Sequence, residues 1–208
     1  MKQPVGVILA GGLATRMGGG DKALLELGGE SLLARVTERL APQVADLALN
    51  ANGDPARFAG YGLPVVADSI PGFAGPLAGV LAGLDWAAAQ GAETVVTVAA
   101  DTPFFPCDLV PRLLLASEGQ AHPLVLAATE GDTETRSAKG RLIRHPTFGL
   151  WPVDLRDDLR AALQDGLKKV VLWTERHGGR EALFDSAPFD PFFNVNTPED
   201  LARAEALL

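Results

Sequence analysis

The sequence predicts a three-layer α/β fold built on an open, mostly parallel sheet of the Rossmann-like kind, and two observations predict it. Runs such as Val5–Leu9 and Glu93–Ala100 are continuously apolar rather than alternating, which suits strands covered on both faces. Between these runs lie segments with apolar residues at helical spacing, so strand and helix alternate through most of the chain.

Taken in order, Val5–Leu9 is the first strand, closed by Gly11-Gly12. Ser31–Leu40 places Leu32, Leu33, Val36 and Leu40 on one helical face, and Pro42 marks the exit. Leu47–Asn50 and Leu63–Asp68 read as the second and third strands. Pro76–Gln90 is a helix with Leu77, Val80, Leu81, Leu84 and Ala88 on one face. The Glu93–Ala100 strand ends at Asp101, and Asp108–Leu115 then reads as a helix. Leu124–Ala128 and Phe148–Trp151 read as strands and Asp157–Leu163 as a helix. Thr129–Arg144, rich in Gly, Thr and charge, reads as an exposed loop or a β excursion. Thr197 as N-cap, Pro198 at the first position and Asp200 at the third open a final helix over Pro198–Leu208.

With 208 residues, 47% hydrophobic and 21% charged, the chain is sized for one well-buried domain spanning 1–208. A net charge of −8 argues against holding nucleic acid through a bulk field, so any phosphate must meet a local cluster. The one cysteine, Cys107, forms neither an intrachain disulfide nor a thiolate cage. No apolar run approaches the roughly 18 to 20 residues that cross a bilayer, and no secretory signal is recognisable, so a cytoplasmic chain without membrane contact is expected.

In an open α/β sheet, ligands gather at the carboxyl ends of the strands, above all at the first strand-to-helix turn. Leu9–Lys22 occupies that place and combines Gly11-Gly12, Arg16, Gly18-Gly19-Gly20 and Lys22. Taken alone, such a run is either a flexible glycine loop with solvated charges or a cradle whose backbone N–H groups approach an anion; its position favours the cradle. It matches neither G-x-x-x-x-G-K-[ST] nor G-x-G-x-x-G. Asp101 reaches the same edge and suits a hard cation, which with phosphate ligands needs only one or two protein carboxylates, although Asp-Thr-Pro alone equally well caps a helix. Asp68 also ends a strand, and is either a second acidic group facing the basic loop or a turn former before Ser69.

Several segments resemble, in order and across nearly the whole chain, the bacterial molybdenum cofactor guanylyltransferases. They are Leu9-Ala10-Gly11-Gly12, Arg16-Met17-Gly18-Gly19, Asp21-Lys22, Asn50-Ala51-Asn52, Asp68-Ser69, Gly75-Pro76-Leu77-Ala78-Gly79, Asp101-Thr102-Pro103, His145-Pro146 and Asn194–Leu201. The resemblance implies a fold of the nucleotidyltransferase (nucleotide-diphospho-sugar transferase) type. It also implies transfer of GMP from GTP to molybdopterin with release of pyrophosphate, and transient contact with proteins that make or accept the cofactor. Carried over, Leu9, Ala10, Gly11, Gly12, Lys22, Asn50, Asp68 and Asp101 bind GTP, Asp101 holds Mg²⁺, and Asn194 and Asn196 meet the pterin. Lys22, Arg16 and Asp101 form the catalytic set. Two departures stand out: Ala99-Ala100 replaces the family's frequent Pro-Cys, and Glu134–Arg141 is longer than usual.

The chemistry agrees with a chain poor in acid–base groups. A phosphate monoester nucleophile, with a second pKa of about 6, needs no general base at neutral pH. Catalysis is then alignment and charge neutralisation. His122, His145 and His177 show no metal-ligand spacing, and no G-x-S-x-G or Cys–His signal is present. His145 reads as a surface or structural residue, and Trp151, Phe184, Phe189, Phe192 and Phe193 as core and rim packing rather than a pterin stack. The rivals are a molybdopterin cytidylyltransferase, a sugar-phosphate nucleotidyltransferase, and a non-catalytic nucleotide-binding module. Gly12 separates guanylyl from cytidylyl transfer, because a missing Cβ leaves room for a purine.

Overall fold

A computed structural model describes residues 2–11, 21–70, 75–131, 142–167 and 169–208. β1 (Val5–Leu9) is followed by a 3₁₀ turn (Lys22–Leu24), a small hairpin of β2 (Glu26–Leu27) and β3 (Glu30–Ser31), α1 (Leu32–Leu40) and β4 (Leu47–Asn50). A longer 3₁₀ helix (Pro55–Tyr61), β5 (Val65–Val66), α2 (Pro76–Ala89), β6 (Thr94–Ala99), α3 (Leu109–Ala116) and β7 (Val125–Glu130) come next. The chain continues through β8 (Leu142–Pro152), α4 (Arg156–Gln164), α5 (Val170–Arg176), β9 (Arg180–Phe184) and α6 (Pro198–Glu205).

Seven strands form one sheet in the order β5-β4-β1-β6-β8-β7-β9. β5, β4, β1 and β6 run parallel, as do β7 and β9, while β8 is antiparallel to both of its neighbours. The sheet is therefore mostly parallel, as expected, with one reversed strand. That reversal follows from chain length. A parallel crossover needs roughly a dozen residues or more, usually including a helix, and residues 131–141 between β7 and β8 are fewer than that.

Alternation along the strands divides the core between two helical layers. Ile8, Leu49, Val96, Val98 and Val125 pack with Leu33, Val36, Leu40, Leu109 and Leu113 of α1 and α3. Val5, Val7, Ala48, Val95, Leu126 and Trp151 face Leu77, Leu81, Leu84, Leu159, Leu163 and Trp173 of α2, α4 and α5. The same residue pattern explains Gly6 within β1: a Cβ there would lie 2.9 Å from Leu47 and 3.2 Å from Leu40, where α1 crosses the strand. A third cluster of Leu27, Leu32, Phe104, Val195 and Ala204 fastens α6 and the hairpin beside the end of β6.

Differences from the sequence reading have local causes. Only Val65–Val66 of the expected Leu63–Asp68 strand joins the sheet, because Asp68 turns its backbone N–H to Asn52 Oδ1 at 2.9 Å instead of a neighbouring strand. Thr129, Glu130 and Leu142–Arg144 extend β7 and β8, the β excursion of the two options; the Glu134–Arg141 insertion lies outside the described residues. α5 and β9 were not anticipated. Val170-Val171-Leu172-Trp173 has strand-like composition, yet folds as helix because Val170, Trp173 and Thr174 then share a buried face. The expected aromatic packing holds: Trp151, Phe184 and Phe192 are buried, and Phe189 meets Phe104 edge-on at 5.7 Å.

Candidate active site

Because β5, β4, β1 and β6 are parallel neighbours, their carboxyl ends bring Asp68, Asn50, Leu9–Gly11 and Asp101 to one edge. Backbone bonds continue the ladder past the strands: Ala10 N donates to Asn50 O, Ala51 N to Val66 O and Ala100 N to Leu9 O, at 2.9–3.1 Å. The edge is thus rigid up to the point where the glycine loop departs. Gly12 and Arg16 lie outside the described residues. Gly11 is exposed, and a Cβ there would enter open space, so no described protein atom demands glycine at that position.

Two polar clusters occupy the edge. At the β6 end, the Lys22 ammonium lies 2.5 Å from Asp101 Oδ2 and also donates to Asn196 Oδ1. The ion pair is mostly shielded, with 14% and 23% of the two side chains exposed. The buried Thr102 hydroxyl donates to Asn194 Oδ1 at 2.6 Å and lies 3.2 Å from Asp101 Oδ1. The Asn-x-Asn segment is held there by Val195 N donating to Asp101 O at 2.9 Å. Val195 is buried between the two exposed asparagines, so period-two alternation sends both amides to the same side. The Thr197–Asp200 capping box forms as expected, and Asp200 Oδ2 also accepts from Asn196 N at 3.0 Å. The cap that starts α6 therefore also orients Asn196.

At the β4–β5 end, Asp68 accepts from Asn50 Nδ2 at 2.9 Å through one oxygen and from Asn52 Nδ2 at 2.7 Å through the other. Asn50, only 3% exposed, also donates to Val66 O at 3.1 Å. Its Oδ1 abuts Gly79 on α2 so closely that no Cβ fits there, and Leu9 Cδ2 would stand 3.0 Å from that Cβ. Sequence reasoning gave no role to Asn52 or Gly79. The Asn-x-Asn spacing at 50 and 52 signals the first, since alternate residues of an extended segment share a face.

The histidines lie in other networks. His122 meets Asp154, His177 meets Asp158, and His145 Nε2 lies 3.0 Å from Thr129 Oγ1 with its ring stacked on Phe192 at 4.2 Å. Burial pushes the His145 pKa below its ordinary value, with Asp190 pulling weakly the other way. Among the described residues no group of three or more His, Cys, Asp and Glu converges as a metal cage.

The profile of the MobA-like NTP transferase domain matches residues 6–179. A molybdenum cofactor guanylyltransferase of Bradyrhizobium sp. is 54% identical over 205 residues, covering 97% of this chain and 92% of that protein. One from Mesorhizobium japonicum is 52% identical over 208 residues, covering 98% and 95%. The chain belongs to the molybdenum cofactor guanylyltransferase family. It is accordingly a nucleotidyltransferase. Among solved structures, molybdopterin-guanine dinucleotide biosynthesis protein A of Archaeoglobus fulgidus superposes with a TM-score of 0.70 at 23% identity, covering 98% of this chain and 97% of that one. The 4-diphosphocytidyl-2C-methyl-D-erythritol synthase of Anaerococcus prevotii gives 0.73 at 16%, covering 99% and 96%, so the expected nucleotidyltransferase fold is present. The family profile ends before Asn194, whereas the full-length relatives extend across nearly the whole chain, including most of the region that carries the second asparagine pair.

Proposed function

We propose that this chain transfers GMP from GTP to the terminal phosphate of molybdopterin, releasing pyrophosphate and forming the guanine dinucleotide cofactor. The observation that carries this reading is the junction of Lys22, Asp101 and Asn196. It joins the end of the glycine loop, the tip of β6 and the C-terminal Asn-x-Asn segment within hydrogen-bonding distance. Donor and acceptor groups must meet at one point for a transfer, and these are the segments assigned to GTP, to metal and to pterin.

The oxygens at this junction fit Mg²⁺. Asp101 offers a partly exposed carboxylate whose Oδ2 meets Lys22 and whose Oδ1 lies 3.2 Å from the Thr102 hydroxyl. A hard cation carrying phosphate ligands needs only one or two protein carboxylates, and Asp101 is the residue that would hold it. Bound there, it would neutralise phosphate charge and polarise the α-phosphate.

The chain's own residues do the rest. Lys22 carries three N–H donors, two of them directed to Asp101 and Asn196 among the described residues, and the third serves a phosphate oxygen. Arg16 adds a second cation to the triphosphate. Leu9, Ala10, Gly11 and Gly12 bring backbone to the nucleotide, at the carboxyl end of β1 where Gly11 is exposed. Asn50 and Asp68 hold the nucleoside end, and Asn194 and Asn196 the pterin. The acceptor phosphate is already ionised, with a second pKa of about 6, so the chain orients it rather than deprotonating it.

Residues 1–208 act as one domain in this reading, since α6 and the C-terminal asparagines complete the site begun by β1. No described helix is long and apolar enough to cross a membrane, and we read the enzyme as cytoplasmic, in transient contact with proteins that supply or receive the cofactor. The test is pyrophosphate release from GTP, CTP and ATP in the presence of molybdopterin. Preference for GTP is expected; preference for CTP would make the chain a cytidylyltransferase, and release with none of the three would return it to a binding module.

A further inference from the structure

The two polar clusters sit at β5 and β6, three strand spacings or roughly 14 Å apart. A nucleoside triphosphate that spans them must find both contacts at the right separation. Among the described residues, one side chain reaches between the segments that carry them. Arg57, on the 3₁₀ helix Pro55–Tyr61, places Nε 2.8 Å from Asp21 Oδ2, and its Nη2 donates to the backbone carbonyl of Asn52. Asp21 immediately precedes Lys22 and is the N-cap residue of the turn that carries it. Asn52, in turn, clasps Asp68 in both directions: Nδ2 donates to Asp68 Oδ2 at 2.7 Å and Oδ1 accepts from Asp68 N at 2.9 Å.

Several features make this a fixed strut rather than a solvated pair. Arg57 and Asp21 are only 31% and 17% exposed. The guanidinium lies 4.8 Å from the ring centroid of buried Phe58, and its helix is capped by Asp54 Oδ1 accepting from Ala56 N at 2.9 Å. Gly53, at φ +86°, passes so near that a Cβ would stand 2.9 Å from Arg57 Nη1. The guanidinium meets the Asp21 carboxylate as an ion pair while its Nη2 donates to the Asn52 carbonyl, whereas a lysine ammonium is a point charge on a flexible stem.

We infer that Arg57 is a positioning residue that sets the separation between the Lys22 phosphate contact and the Asp68 nucleoside contact. The inference rests on the reading of this edge as a GTP site. Without Arg57 each half of the site keeps its own ligating groups, because Lys22 retains Asp101 and Asn196 and Asp68 retains Asn50 and Asn52. What is lost is the tie between the turn that carries Lys22, which lies beyond the backbone ladder, and the Asn52–Asp68 clasp, and a ligand that engages two sites at once is sensitive to the placement of that turn.

Calorimetry on the full chain separates the possibilities, using GTP, GMP and inorganic tripolyphosphate as three ligands. In Arg57→Met, GTP affinity is expected to fall about tenfold while GMP and tripolyphosphate bind as in the wild type and Tm is nearly unchanged, since partly exposed ion pairs contribute little to stability. Arg57→Lys, which keeps the charge and loses the fork, should stay well below wild-type GTP affinity. Unchanged GTP affinity in Arg57→Met, full recovery in Arg57→Lys, or parallel weakening of all three ligands with a lowered Tm would each overturn the inference. A wild-type chain that fails to bind GTP would instead overturn the proposed function on which it rests.

Discussion

Gly79→Ala sets two effects of known size against each other. Replacing glycine within α2 favours the helix by about 1 kcal/mol. The new Cβ, however, lands on Asn50 Oδ1 and within 3.1 Å of its Cγ, with Leu9 Cδ2 at 3.0 Å blocking an escape on that side. Asn50 must move, and its Nδ2 then gives up Val66 O at 3.1 Å and Asp68 Oδ1 at 2.9 Å. At 3% exposure water replaces those bonds poorly, so each is worth about 1–2 kcal/mol and the pair outweighs the helical gain. The expected net is a destabilisation of about 1–3 kcal/mol in urea unfolding, with GTP KM raised about tenfold because Asp68 loses one of its two amide clamps. A Gly79→Ala enzyme at least as stable as wild type, with unchanged KM for GTP, would refute the claim that Asn50 depends on the missing Cβ.

Two further outcomes follow from the geometry. Lys22→Ala should weaken GTP binding by about tenfold to a hundredfold by calorimetry with little change in Tm, because the Asp101 carboxylate left behind still reaches solvent; unchanged affinity would remove Lys22 from the phosphate site. His145, held below its ordinary value of 6.5 by burial, takes up its proton in the unfolded chain before it does so in the folded one. Its contribution to stability is therefore complete above pH 6.5 and lost as pH falls through the lower folded value. Urea midpoints measured from pH 7.5 to 5 should show this loss, and His145→Gln should flatten it; identical slopes for the two proteins would count against it.

The parts of the molecule legible in the sequence are those whose cause is local. Val5–Leu9 and Thr94–Ala99 announce themselves because both faces are covered, and α6 because Thr197, Pro198 and Asp200 cap it within four residues. The hairpin at Glu26–Ser31 was equally local but passed unread: Gly28-Gly29, at φ +58° and +84°, forms the two-residue turn that right-twisted strands require. Other features depend on partners distant in the chain. That Lys22 pairs with Asp101, 79 positions on, follows only once parallel strands bring both to one edge. Asp68 reads either as a second acidic group facing the basic loop or as a turn former; that it accepts an amide on each oxygen is visible only in the fold, since the arrangement needs β5 to stop at Val66. Arg57 offered no signal at all, since its significance lies in joining Asp21 to Asn52 across the hairpin, α1 and β4.

The account turns on the Lys22–Asp101–Asn196 junction as the place of transfer, and Asp101→Asn probes it with the least disturbance. The substitution keeps the side chain's shape beside Thr102 while removing the charge that Lys22 meets at 2.5 Å. Pyrophosphate released from GTP with molybdopterin as acceptor is the quantity to measure. A fall of about a hundredfold to a thousandfold, with an unchanged Tm, is the predicted result, in line with the loss of a principal electrostatic contact to a transferring phosphoryl group. Turnover near that of the wild type would contradict the account.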